Sequence, residues 1–177
     1  MELYTTLKST GVIRRIDELG RIVIPKEIRR NLGIHDGENV EIFTEEDSII
    51  LKKYYRMSTN SDLANSLCEI IYTSFNYKII ITDREKVLAS EGINNNLNNQ
   101  KIPKECLNII ENREIITKED YTFNIGELEL TGNFAFIPII SLNDSIGLII
   151  MQSQNKLESE VNIGKFIASI FSRKLDI

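Results

Sequence analysis

The apolar positions of this chain fall into two regimes. In the first third they come as short β-branched runs: residues 11–16 and 21–24 are separated by Asp17-Glu18-Leu19-Gly20, a polar segment ending in glycine that reads as a loop. Pro25 closes the second run and opens a helix over residues 26–32, because its missing N–H is one that would have no intrahelical partner there. Ile28 and Leu32 stand at i, i+4 and Gly33 is the stop. A helix under three turns does not hold alone in water, so it has to dock its Ile28/Leu32 edge, which directs Arg29 and Arg30 elsewhere. Residues 40–43 and 48–52 flank a polar 44–47 turn and predict a hairpin.

Past residue 55 the pattern alternates between helical and strand periods. Small polar residues over 58–62 have cap-forming character, and Leu63, Leu67, Ile70 and Ile71 then repeat at helical spacing toward Phe75. This predicts a helix over about 61–75 between two domains, which either packs on its own domain or pairs with the same helix of another subunit. Strands follow at 78–83 and 85–89, then a helix at 103–112 carrying Cys106, Leu107, Ile109 and Ile110. An apolar strand at 133–141, a turn at 143–145 and a strand at 146–151 lead to a long closing helix marked by Leu157, Val161, Gly164, Ala168, Phe171 and Leu175. A helix, an antiparallel sheet and a closing helix make an α+β domain over residues 55–177.

Size separates the halves. A module over residues 8–54 with four short strands and one helix buries too little apolar surface to fold alone without disulfides or metal, so it is expected to be an obligate oligomer. Two cysteines, Cys68 and Cys106, with no C-x-x-C and a single histidine, His35, suggest neither a zinc site nor a disulfide framework. The longest apolar runs, such as 146–151, are far short of the ~20 residues that cross a bilayer, and no secretory signal is evident, which predicts a cytoplasmic protein without membrane contact.

Charge changes the picture for the first module. The 177-residue chain carries −5 overall, which argues against a nucleic-acid binder. Yet residues 8–34 hold seven bases against three acids, +4, while residues 35–53 hold two against six, −4. Bases gathered on one face still attract phosphate, since acids more than about 8 Å away are screened at physiological salt.

The run from Thr10 to Gly33, with six bases among β-forming stretches and one brief helix, resembles the core of AbrB-type bacterial transcription regulators. The resemblance implies interleaved hairpins of two chains forming one swapped-hairpin dimeric barrel, all-β apart from the short helix, whose basic loops face double-stranded DNA. It carries the family's DNA-contacting positions onto Arg14 and Arg15 in the first run, Arg21 opening the second, and Arg29 and Arg30 on the helix, with Lys8 a further candidate. Arginine suits the task, because its planar fork grips a phosphate or the O6/N7 edge of guanine. A solvated-face alternative competes for single residues, Arg15 pairing with Asp17 or Glu18, but does not extend to all five arginines. Lys26 is not assigned, since Glu27 adjoins it and its i+4 neighbour Arg30 has the same charge.

The second half, with strands at 79–84, 136–140 and 145–149, is similar to a GAF-like domain. Together the two halves resemble AbrB-type sporulation regulators of endospore-forming bacteria, residues 1–7 standing outside as an extension. That resemblance implies an activator and repressor of sporulation genes in the developing forespore, a homodimer or homotetramer, with an effector site between sheet and helices as GAF-like folds commonly have. Residues 91–100 are asparagine-rich and mobile-looking, with no phosphate loop or metal-ligand pattern. Asp83/Glu85 and Glu127/Glu129 look like acid–base pairs, but no nucleophile or histidine accompanies them, so turn and surface roles are expected and an enzyme is not. The competing functional class is an antitoxin-like interaction protein that autoregulates through its first domain; a third is a stand-alone small-molecule sensor.

Overall fold

The computed structural model describes residues 9–34, 39–54, 57–93, 97–154 and 157–175. It separates into two compact units, Met1–Tyr54 and Tyr55–Ile177.

In the first unit the hairpin forms. Strand β1 (Val40–Glu45) pairs antiparallel with β2 (Ser48–Lys53), and the turn shrinks to residues 46–47, with Glu46 at φ 47°. Opposed residues share a face, so Ile42, Ile49 and Leu51 line one side while Phe43 and Ile50 line the other. Glu41 faces Lys52, whose ammonium lies 4.9 Å from the Phe43 ring centre. The short helix α1 (Lys26–Asn31) ends as expected at Gly33, whose φ of 63° allows the closing pair of bonds Gly33 N–H to Arg30 C=O (3.2 Å) and Ile34 N–H to Arg29 C=O (2.7 Å).

Two expectations fail within the single chain. Residues 11–16 and 21–24 are not strands, and the helix edge is not docked, since Leu32 is exposed and Ile28 only half-buried. The reason is geometric: a β-branched run becomes a strand only beside another strand, and among the described residues none lies beside these two. None of residues 9–34, 39–52 and 54 is buried.

The second unit is a five-stranded antiparallel sheet in the order β4-β3-β7-β6-β5 between helical layers. Its strands are β3 (Lys78–Thr82), β4 (Val87–Glu91), β5 (Ile116–Ile125), β6 (Leu128–Ser141) and β7 (Asp144–Ser153). Its helices are α2 (Ser61–Phe75), α3 (Lys104–Asn112) and α4 (Glu158–Leu175). Apolar residues run without interruption along β3 and β7 because both faces are covered. Ile79, Ile81, Ala135, Ile137, Ile149 and Met151 meet Ala64 and Cys68 of α2 and Ile167 and Phe171 of α4. The alternate positions Ile80, Phe134, Phe136, Leu148 and Ile150 meet Cys106, Ile109 and Ile110 of α3. Gly164 lets α4 approach the sheet, as a Cβ there would sit 2.7 Å from Ile137 Cδ1.

The helix over 61–75 is present, but its buried stripe is Ala64, Cys68 and Ile71, with Ile70 left exposed. β5 and the first five residues of β6 were not expected. The β6–β7 turn is Leu142-Asn143, both at positive φ (46° and 62°), the mirror-image turn whose twist matches paired strands. Residues 94–96 of the asparagine-rich stretch lie outside the described residues.

Candidate nucleic-acid interface

Arg14 and Arg15 lie on the extended segment before the 17–20 loop, Arg21 directly after it, and Arg29 and Arg30 in the last turn of α1. Arg14, Arg15, Arg21 and Arg30 are exposed, and Arg29 is half-buried. Lys8 lies outside the described residues. The last-turn position favours Arg29 and Arg30 through the partial negative charge of the helix C-terminus, which orients both without neutralising them.

Asp17 builds the loop between the two extended segments. Its Oδ1 accepts the N–H groups of Leu19 (3.0 Å) and Arg21 (2.8 Å), and its Oδ2 accepts Arg21 Nε at 2.8 Å. The backbone closes the same loop, Asp17 N–H donating to Arg21 C=O at 3.0 Å and Gly20 N–H to Asp17 C=O at 2.9 Å. Gly20 supplies the φ of 76° this requires. The Arg21 N–H, then its side chain, hold the Asp17 carboxyl below the usual carboxylate range. Of the two acids that the sequence offered to Arg15, Asp17 is taken by Arg21, whose side chain is still 71% exposed. One carboxylate thus shapes the loop from which an arginine projects, and that local role was not read from the sequence.

Residues 60–176 match the family described as "Stage V sporulation protein T C-terminal, transcription factor". Over 160 residues the chain is 34% identical to stage V sporulation protein T of Bacillus subtilis (strain 168), an alignment covering 88% of this chain and 90% of that protein. The chain belongs to the stage V sporulation protein T family. Its first unit is AbrB-like: over 86 residues the chain is 38% identical to the transition state regulatory protein AbrB of the same organism, an alignment covering 49% of this chain and 81% of that protein. Residues 13–57 also match the family "Antidote-toxin recognition MazE, bacterial antitoxin". The second unit has the GAF fold, superposing on the PixJ GAF domain of Thermosynechococcus elongatus with a TM-score of 0.50 and 14% identity over 70% of this chain and 89% of that one.

The stage V sporulation protein T family is one of transcription factors, not enzymes, and the second unit's polar groups have structural work. Asp83 is buried, its Oδ1 accepting the N–H groups of Glu85 and Lys86, each at 2.7 Å, so it shapes the β3–β4 turn. Burial raises its pKa despite those two bonds. Cys106 and Cys68 are fully buried free thiols; burial pushes Cys106 up to about 12 and Cys68 higher still, so neither presents a thiolate. Glu105 on α3 closes a cluster with Lys118 and Tyr121 of β5, the Tyr121 hydroxyl donating to its two oxygens at 2.8 and 2.9 Å. For Lys118, burial opposes the charge, but its bonds to Glu105 and Tyr121 prevail and its pKa is raised. Phe123, Phe134 and Phe136 pack ring to ring on the α3 side of the sheet. No described helix is long and apolar enough to cross a membrane.

Proposed function

We propose that this chain is a DNA-binding regulator, activator and repressor, of sporulation genes in the developing forespore, acting in the cytoplasm as a homodimer through its first unit. The observation that supports this most is the pairing, on one small unit, of exposed arginines with apolar side chains that no other described residue covers. Ile13, Ile16, Ile22, Val23, Ile42 and Ile49 are all more than half exposed, a surface that a folded monomer does not sustain. In the swapped-hairpin arrangement, residues 11–16 and 21–24 find their strand neighbours on the second chain. Both faces of the β1–β2 hairpin are then buried, and the arginines of two chains lie on one double-stranded DNA site. Lys8, Arg14, Arg15, Arg21, Arg29 and Arg30 are the proposed contacts, and a tetramer forms if the second units also pair.

Fluorescence anisotropy on duplex DNA across a salt series tests this. If a dimer engages about 8 phosphates, log K falls with log salt at a slope near −7, by the ~0.9 per phosphate rule. A salt-independent affinity contradicts it. A genome-wide binding map in sporulating cells tests the gene set.

The antitoxin match of residues 13–57 favours a second reading, autoregulation by the first unit while the rest holds a protein partner. Against it stands a second unit with a complete core of its own, where partner capture commonly uses a segment that folds on binding. Regulation by a ligand of the GAF-like unit completes the first reading: a small molecule bound there changes DNA affinity through a difference between two assembled states. A chain truncated after residue 54 that regulates its promoters like the full protein would remove that role.

A further inference from the structure

Arg21 is tied to a single residue by backbone and side chain together. The Asp17 N–H donates to the Arg21 carbonyl at 3.0 Å, the Arg21 N–H donates to Asp17 Oδ1 at 2.8 Å, and the Arg21 Nε–H donates to Asp17 Oδ2 at 2.8 Å. Even so, the Arg21 side chain is 71% exposed and that of Asp17 42%. An ion pair this open to water adds little to stability, so its effect falls on Arg21 itself. The carboxylate takes Nε, and the Nη1 and Nη2 donors at the end of the planar fork stay outside that bond.

An unrestrained arginine at a DNA surface is drawn to phosphate by its charge and surrenders its rotamers on binding. Asp17 alters both. Its negative charge, 2.8 Å from Nε, offsets the pull of Arg21 on phosphate, and its grip restricts the torsions before any contact is made. The carboxyl is held below the usual carboxylate range by the Arg21 N–H and side chain, so the grip persists at neutral pH. A charge-offset, oriented fork gains least on a phosphate, whose oxygens recur along the whole backbone. It gains most on an uncharged pair of acceptors fixed in one plane, and in the major groove that pair is guanine O6 and N7.

We propose that Asp17 is a positioning residue that makes Arg21 a reader of guanine, and so sets sequence preference, while the other basic positions hold phosphate. This deepens the DNA-binding reading and rests on it. An acid beside a DNA surface would ordinarily only weaken binding; here it converts part of the charge attraction into discrimination between base pairs.

Duplexes are selected with the full chain from a randomised library. Anisotropy then gives affinities for the selected duplex, for the same duplex with each G·C pair changed in turn to A·T, and for a scrambled duplex. Asp17→Asn keeps Oδ1 as acceptor for the Leu19 and Arg21 N–H groups and puts an amide, which cannot accept from Nε–H, in place of Oδ2. For the unsubstituted chain one G·C change weakens binding by about tenfold or more. Asp17→Asn cuts that ratio by about threefold or more, while its affinity for the scrambled duplex holds or rises because a negative charge has left the surface. With Arg21→Ala already in place, Asp17→Asn no longer changes the ratio.

In the unsubstituted protein the Arg21 Nε–H resonance is protected from solvent exchange with and without duplex, a reading that does not depend on any variant folding. The proposal is overturned if that resonance exchanges as freely as in an unfolded peptide, or if Asp17→Asn weakens all duplexes equally, which is loss of the loop alone. If the unsubstituted chain binds no duplex, the DNA-binding reading falls and the proposal with it. Guanine discrimination that survives Asp17→Asn overturns the proposal and leaves the DNA-binding reading standing.

Discussion

The two units of this chain solve the same problem by different means. The second buries an apolar layer on each face of its sheet, so every strand in it has its neighbours within one chain. The first carries apolar side chains on both faces of one hairpin and on two extended segments, and buries none of residues 9–34, 39–52 and 54. Ile13 is 89% exposed where Ile81 is fully buried, though both sit in β-branched runs of similar composition. Pattern thus sets what a segment can pair with, and topology sets whether the partner lies in the same molecule. The first unit is read as half of a fold, and its charge reflects the same logic: a +4 surface serves DNA best when two copies are fixed side by side.

Substitutions break this comparison in graded ways. Ile13→Asp has the largest expected effect. On a monomer an exposed position tolerates it within about 0.5 kcal/mol, whereas in an interleaved dimer it buries an unpaired carboxylate and costs several kcal/mol, so assembly and DNA binding are both lost by light scattering and anisotropy. Ile28→Asp acts in the same direction at the half-buried helix edge. Phe136→Ala comes next: it opens a cavity amid Phe123 and Phe134 and lowers the second unit's unfolding free energy by about 3–5 kcal/mol in urea, while the first unit still dimerises.

Arg21→Ala and Arg29→Ala lie a step lower. Each weakens DNA binding roughly several-fold and reduces the log–log salt slope by about 1 for every phosphate that is no longer neutralised, with the circular-dichroism spectrum unchanged. The smallest effect is on pH dependence. The Asp83 pKa is raised in the fold, so the folded state holds more protons between 3.8 and the folded value, and the second unit loses stability as pH rises through that window. Asp83→Asn keeps an acceptor for the Glu85 and Lys86 N–H groups and flattens this slope in pH-dependent melts, changing neutral-pH stability by no more than about 1 kcal/mol.

What was legible in the sequence followed from burial on one chain. Continuous apolar runs announced β3, β7 and most of β6, and helical spacing announced α2, α3 and α4. β5 escaped because it is an edge strand: Lys118, Glu119 and Asp120 interrupt its alternation and a bulge between Lys118 and Tyr121 shifts its register, features that keep a sheet edge from pairing further. In α2 the larger Leu63 and Leu67 mark the helical spacing, whereas the fully buried positions are Ala64 and Cys68. The basic positions were visible as residue types, but not the carboxylate that organises them, since Asp17 lies within reach of Arg15 and Arg21 alike and only the closed loop selects Arg21.

Hydrogen exchange of the full chain, read together with its mass by light scattering, addresses the central claim most directly. The amides of residues 11–16 and 21–24 have no strand neighbours among the described residues of one chain, so the account predicts that they are protected, in a particle of at least two chains. A monomer, or an oligomer in which these amides exchange as freely as an unfolded peptide, contradicts it.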